Sequence, residues 1–292
     1  MKIVIADRME PEVVAEISKL GETVVTPSDL KAALADADAL IVRSATKATE
    51  ELLSHAPKLR LVARGGVGLD NVDREACAKR GIKVVNTPAA STNSVAELAL
   101  CMMLAVCRKI AKADAGMKGG KWLKKELTGT EIDGKTLGIV GMGRIGSSLA
   151  LKAQALGMRV LYYDPGNSGT ALGKGVSLDE LFAGSDYISL HVPLTPETKG
   201  MVGESALAKM KKNAVIINTA RGGLVDEEAL YSALKDGRIG GAALDVYPSE
   251  PYSGKLCELE NALLTPHIAG STKEAQARIG QELVAKLREE LV

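Results

Sequence analysis

Apolar positions along this chain come in two rhythms. Short apolar runs of strand length alternate with segments whose apolar residues recur every three or four positions. Between residues 1 and 88 the runs predict strands at 2–6, 23–25, 39–42, 61–63 and 83–85, with helices between them, as at 11–20 and 73–80. From residue 135 to about 266 the rhythm restarts. Strands are expected at 136–140, 159–163, 187–191, 214–218, 241–244 and 263–264, and helices at 147–156, 177–181 and 226–235. Strands that alternate with helices predict parallel sheets covered on both faces. The expected fold class is therefore α/β, with two doubly wound parallel-sheet domains and a cleft between them.

Two further segments complete the pattern. Residues 95–107 carry one charge, Glu97. A helix apolar all round must be buried on several sides, in the core of one chain or between subunits. At the other end Ser271 and Glu274 have capping-box spacing, and Ala275, Ile279, Leu283 and Leu287 fall on one stripe. That helix is expected to return to the first domain. The expected domains are thus 1–90 with 271–292, and 91–270.

Residues 137–146 read Leu-Gly-Ile-Val-Gly-Met-Gly-Arg-Ile-Gly. An apolar run passes directly into Gly141, Gly143 and Gly146, and then into helix-compatible sequence. Strand, G-x-G-x-x-G and helix in that order mark a dinucleotide-binding turn. Gly141 permits the tight turn, Gly143 lets a pyrophosphate approach the backbone, and Gly146 lets helix and strand pack closely. The helix N-terminus offers unpaired N–H groups to the phosphates. The next strand ends in Asp164, placed to bond ribose hydroxyls and to repel a 2′-phosphate. The expected cofactor is NAD rather than NADP.

Composition narrows the class. The chain has 292 residues, 46% of them hydrophobic, which supports sizeable cores. Phe182 and Trp122 are the only residues of their kinds, so aliphatic side chains and methionine must fill those cores. A net charge of +1 without a long basic block argues against a nucleic-acid partner. The four cysteines form no C-x-x-C pair and read as reduced thiols of a cytoplasmic protein. No apolar stretch reaches membrane-spanning length, and the first apolar run is too short for a signal peptide.

Three segments at the ends of late strands hold the candidate chemistry: Asn218-Thr219-Ala220-Arg221-Gly222-Gly223, Asp245-Val246-Tyr247-Pro248-Ser249-Glu250-Pro251 and Pro266-His267-Ile268-Ala269-Gly270-Ser271-Thr272. Carboxyl ends of parallel strands are where open α/β sheets bind ligands. With these segments the chain resembles, over its whole length, the D-isomer-specific 2-hydroxyacid dehydrogenases. The resemblance implies a catalytic set of Arg221, Glu250 and His267. Histidine suits the base that takes the hydroxyl proton. Glu250 would hold the imidazole in one tautomer. Arg221 offers a planar fork for the substrate carboxylate and the C2 oxygen. The resemblance also places Arg144, Ile145, His191, Val192, Thr219, Asp245 and Gly270 at the cofactor. His191 is expected to line that pocket rather than do chemistry, and His55 reads as a surface residue.

Within the family the chain resembles the phosphoglycerate dehydrogenase branch, on Ile41-Val42-Arg43-Ser44-Ala45-Thr46, Arg64-Gly65-Gly66-Val67-Gly68-Leu69-Asp70-Asn71-Val72-Asp73, Gly120-Lys121-Trp122, Gly129-Thr130-Glu131 and Ser271-Thr272-Lys273-Glu274-Ala275. That implies a phosphorylated 2-hydroxy acid as substrate, with Arg43, Ser44, Arg64, Gly65 and Asn71 around it. Arg43 and Arg64 both follow strand ends, and two guanidinium groups suit a dianionic phosphate. The bland alternative is a pair of surface arginines in ordinary ion pairs.

A homodimer packed through the region after Ser94 is likewise implied. Two departures stand out. The family commonly reads G-A-S-T where this chain has Ala269-Gly270-Ser271-Thr272, and the chain ends in its last helix, so serine feedback through an appended domain is not expected. Two other functions share the fold: a glyoxylate or hydroxypyruvate reductase, and an NAD-sensing corepressor that binds peptides.

Overall fold

A computed structural model describes residues 1–166 and 169–291. The chain divides into two compact units. One comprises Met1–Thr92 and the segment from Gly270 onward; the other is Asn93–Ala269.

The first unit contains β1 (Lys2–Ile5), α1 (Pro11–Ser18), β2 (Glu22–Val25), α2 (Leu30–Leu34), β3 (Ala39–Val42), α3 (Glu50–Ser54), β4 (Leu61–Arg64), α4 (Arg74–Lys79) and β5 (Lys83–Asn86). Its five strands are parallel in the order β2-β1-β3-β4-β5. Every residue of β3 is fully buried. Leu40 and Val42 face one apolar cluster while Ala39 and Ile41 face the other, as strand alternation requires of a sheet covered on both sides. The short helices begin at capping side chains. Asp29, Thr49 and Asp73 accept the N–H groups of Ala32, Leu52 and Ala76.

The second unit runs through α5 (Thr92–Cys107), α6 (Ile110–Lys118), β6 (Thr136–Val140), α7 (Arg144–Ala155), β7 (Arg159–Tyr163), β8 (Lys174–Gly175), α8 (Leu178–Gly184), β9 (Tyr187–Leu190), α9 (Glu204–Lys209), β10 (Val215–Asn218), α10 (Glu227–Lys235), β11 (Gly241–Leu244) and β12 (Ala262–Leu264). The chain then returns to the first unit as α11 (Lys273–Leu291). The seven strands are parallel in the order β12-β11-β10-β9-β6-β7-β8. The sheet grows outward from β6 in both directions, so the crevice for a ligand lies where β6 meets β9. Phe182 packs with Ile188, Leu190 and Ile216 under one face; Met102 and Met103 of α5 pack with Leu137, Ile139 and Ile217 under the other.

Four expectations change in detail. The second sheet gains a two-residue strand, β8, too short to register as a periodic run. Helix α7 starts at Arg144, not 147, so the last motif glycine lies inside it. The cap of α11 is Thr272, whose Oγ1 accepts the N–H of Ala275 at 3.1 Å, and not Ser271. Helix α5 is not apolar-buried all round: Met102 and Met103 are in the core while Cys101 and Leu104 are exposed. Among the described residues no helix is long and apolar enough to cross a membrane, and no cluster of His, Cys, Asp or Glu could hold a metal.

Candidate active site

Asn218, Leu244 and Leu264 lie in register at the carboxyl ends of β10, β11 and β12. Arg221, Glu250 and His267 follow them within a few residues, so three adjacent strands deliver the three side chains to one edge of the sheet. Nδ1 of His267 lies 2.8 Å from Oε2 of Glu250. The other carboxylate oxygen, Oε1, accepts the backbone N–H of Tyr247 at 3.1 Å. Glu250 is thus held from its own loop while it holds the imidazole, and Nε2 of His267 is left to act on a ligand. Both side chains are partly exposed.

The arginine loop is shaped by Asn218. Its amide donates to the carbonyl of Arg221 at 2.8 Å, and its Oδ1 accepts the N–H of Ala220 at 3.0 Å. A Cβ on Gly222 would stand 1.9 Å from the carbonyl carbon of Tyr247. Only glycine allows the Arg221 loop to lie against the loop that carries Glu250.

The histidine loop is shaped by Asp245, which is fully buried. Its Oδ1 accepts from Thr265 Oγ1 at 2.6 Å and from the N–H of Ile268 at 2.8 Å; its Oδ2 accepts from the N–H of Ala269 at 2.8 Å. Three bonds to one buried carboxylate fix the loop on both sides of His267. Tyr247 adds to this. Its hydroxyl is within 3.0 Å of the carbonyls of both Leu244 and Thr265. Its ring stacks on Tyr252 at 4.2 Å, and Tyr252 donates to Glu227 at 2.8 Å. Burial pushes the Tyr247 phenol up to about 12, so it remains a donor at neutral pH.

The glycine turn has the form a dinucleotide requires. Gly141 adopts φ 95°, and a Cβ there would meet the carbonyl oxygen of His191 at 2.7 Å. A Cβ on Gly146 would lie 2.2 Å from the carbonyl oxygen of Gly141. Nothing stands within 4 Å of the position above Gly143. Gly143 caps α7 without a side-chain bond, so the first N–H groups of that helix carry no side-chain acceptor. Arg144 and Ile145 form its first turn. Asp164 follows β7 and accepts the N–H groups of Met142 and Gly166, at 2.8 and 2.9 Å. Its carboxylate therefore anchors the glycine turn.

Further along the same edge, Nδ1 of His191 and Oγ1 of Thr219 are shut off from water and have no hydrogen-bond partner. Nε2 of His191 lies 2.9 Å from Ser189 Oγ, and burial lowers its pKa to about 4, so the ring is neutral. Two orphaned polar atoms beyond β9 and β10, with Val192 beside them in sequence, fit a bound cofactor that supplies their partners. The described residues thus suit NAD. Gly270, expected at the cofactor, belongs to the first unit by its packing.

In that unit Val42 and Arg64 are register partners, so Arg43 and Arg64 emerge at the carboxyl ends of neighbouring strands. Gly65 lies between them: its N–H donates to the carbonyl of Val42 at 2.9 Å, and a Cβ there would be 3.5 Å from Cγ of Arg43. The Arg64 guanidinium folds over Gly66, where a Cβ would come within 1.7 Å of it. Asn71 donates to the carbonyls of Arg43 and Thr46, at 2.7 and 2.6 Å. In this structure it braces the loop bearing Arg43 and the exposed Ser44. Buried Asp7 braces the same loop through Thr46 and the N–H of Arg43. Asp7, Asn218 and Tyr247 were not among the expected site residues. Asp7 is a polar residue just past an apolar run, while Asn218 and Tyr247 stand inside the motif segments with nothing in sequence to mark their bracing role.

The family follows from this arrangement together with comparison to known proteins. Residues 100–269 match the D-isomer specific 2-hydroxyacid dehydrogenase, NAD binding domain. The chain belongs to that family, and its second unit is the NAD-binding domain. Relatives of particular function differ among themselves. A hydroxypyruvate reductase of Thermotoga maritima is 48% identical over 90% of this chain and 88% of its own length. A D-3-phosphoglycerate dehydrogenase of Methanocaldococcus jannaschii is 44% identical over 100% of this chain and 57% of its own. The chain thus spans little more than half of that relative. The structure of D-lactate dehydrogenase from Aquifex aeolicus complexed with NAD and lactic acid superposes with a TM-score of 0.88, at 34% identity, over 99% of this chain and 94% of that one.

Proposed function

We propose that the protein is an NAD-dependent dehydrogenase that oxidises 3-phosphoglycerate at C2 to 3-phosphohydroxypyruvate. The observation that carries the substrate assignment is the pair Arg43 and Arg64 at neighbouring strand ends of the first unit. Two guanidinium groups suit a phosphate dianion, the group that an unphosphorylated acid lacks. A homodimer is part of the same reading. After α5 the chain exposes Ile110, Met117 and Trp122 at 53, 58 and 78%, an apolar surface suited to a second copy.

NAD, when bound, accepts the hydride from C2. The residues of the chain do the rest. Arg221 grips the carboxylate and polarises the C2 oxygen. His267 takes the hydroxyl proton at Nε2, because Nδ1 is engaged by Glu250. Glu250 then faces the imidazolium that forms and stabilises it. In the reverse direction the same Nε2 returns its proton to the keto oxygen.

The second reading, a hydroxypyruvate reductase, is favoured by the 48% identical relative of that name. Steady-state kcat/KM for 3-phosphoglycerate, D-glycerate, 3-phosphohydroxypyruvate, hydroxypyruvate and glyoxylate, each with NAD(H), decides between them. A preference of tenfold or more for the phosphorylated acid is expected. Higher efficiency on hydroxypyruvate than on its phosphorylated form overturns the assignment.

A further inference from the structure

The side chain of Gln276, in the first turns of α11, joins two points of the first unit that matter for different reasons. Its Oε1 accepts from Nη2 of Arg43. Its Nε2 donates to the carbonyl of Gly270 at 2.7 Å. The partners fix the orientation of the amide, since a guanidinium only donates and a carbonyl only accepts. Gly270 is where the chain re-enters the first unit from the second. The other terminal nitrogen of Arg43, Nη1, donates to the carbonyl of Arg8 at 3.2 Å. Among the described residues the other three of its five guanidinium N–H donors carry no hydrogen bond.

We propose that Gln276 is a positioning residue for substrate selection: it holds the Arg43 guanidinium in place for the substrate's phosphate. The inference rests on the phosphate reading of Arg43. Two observations show why such a holder is needed. First, Arg43 and Gln276 line a groove of about 930 Å³ between α1 and α11, and Glu10, Glu12 and Glu16 line it too. Glu16 is already paired with Lys19 and Arg288, but an arginine free to turn would be drawn to Glu10 and Glu12, and pairing there would offset the charge a phosphate needs. Second, the holder is a neutral amide. It orients the guanidinium without neutralising it, which a carboxylate at the same position could not do.

The test is a double-mutant cycle read as KM for 3-phosphoglycerate and for D-glycerate, with kcat recorded for both. Gln276→Ala is expected to raise KM for the phosphorylated acid about tenfold and to leave D-glycerate and kcat within about twofold. Gln276→Glu, nearly isosteric, should raise it further because it pairs with the cation. In an Arg43→Ala background Gln276→Ala should add nothing, since its only route to substrate is gone.

Equal effects on both substrates, or additivity in the double variant, overturn the proposal. If Arg43→Ala is selective for the phosphorylated acid while both Gln276 variants are silent, this inference alone falls. If Arg43→Ala leaves the preference unchanged, the phosphate reading falls and takes the inference with it. Should the alanine variant fail to fold, the glutamate variant decides.

Discussion

His267 stands in the left-handed region, φ 55°, and the buried carboxylate of Asp245 holds it there through the N–H groups of the two residues that follow. A left-handed histidine costs about 1–2 kcal/mol. Three bonds to one carboxylate outweigh that cost. Asp245→Asn puts an N–H donor against one of the loop's own donors. It should lower stability by about 2–3 kcal/mol and kcat at least tenfold, with the secondary structure intact. Urea unfolding and steady-state turnover measure both; a variant of full activity would show that the loop does not depend on Asp245.

The strain has its own signature. His267→Gly should be more stable than His267→Ala by about 1 kcal/mol, because glycine adopts this φ without a Cβ penalty. Both variants should lose roughly 10²–10⁴ in kcat while still binding NAD, since they remove the base and leave the glycine turn untouched. Glu250→Gln should be milder, because the imidazole keeps a partner of the same shape. Near-full turnover in either His267 variant ends the general-base assignment.

The strand-helix rhythm was legible because β3, β6, β9, β10 and β11 are buried on both faces and so are mostly apolar, with Thr136, Ser189 and Asn218 as the polar exceptions in β6, β9 and β10. What escaped has physical reasons. Strand β8 is two exposed residues, with no apolar run to announce it. The start of α7 is disguised because helix geometry begins inside the glycine motif. Ser271 and Thr272 are equally good caps by type, and only backbone geometry chooses between them. Arg221, Glu250 and His267 were readable as motifs. The residues that place them were not: nothing in the segment Asp245-Val246-Tyr247 says that its carboxylate turns inward to another loop 20 residues on.

Asp164 should be a poor single-site switch of cofactor preference. Its carboxylate would repel a 2′-phosphate, but it also accepts from Met142 and Gly166. Asp164→Ala removes the repulsion and the anchor of the glycine turn together. The expected result is weaker binding of NAD with little gain for NADP, read by titration of each cofactor. A variant that binds NADP as tightly as the parent binds NAD would show that the anchor is dispensable.

His191 makes stability depend on pH. Its pKa is near 6.5 in the unfolded chain and about 4 in the folded one. Between those values the unfolded state binds the proton and the folded state does not. This contribution is therefore fully present above pH 6.5 and is lost progressively as pH falls toward 4, by roughly 3 kcal/mol. His191→Gln cannot take up that proton. The difference in unfolding free energy between pH 7 and pH 4.5 should be smaller in the variant than in the parent. An equal difference in the two proteins assigns the acid sensitivity to other groups.

The arginines should divide by substrate. Arg43 and Arg64 leave neighbouring strands of the first unit, whereas Arg221 sits on the turn that Asn218 shapes in the second. A charge-assisted contact to a partly buried phosphate is worth about 1.5–3 kcal/mol, or roughly tenfold to a hundredfold. Arg43→Ala and Arg64→Ala should each raise KM for 3-phosphoglycerate by that factor and leave KM for D-glycerate nearly unchanged, because D-glycerate has no phosphate to lose contact with. Arg221→Ala should impair both acids alike, in kcat as well as KM, since both present the same carboxylate and C2 oxygen. The contrast is the informative measurement. If all three variants affect the two acids equally, the first-unit arginines do not read the phosphate, and the hydroxypyruvate reductase assignment becomes the better account of the site.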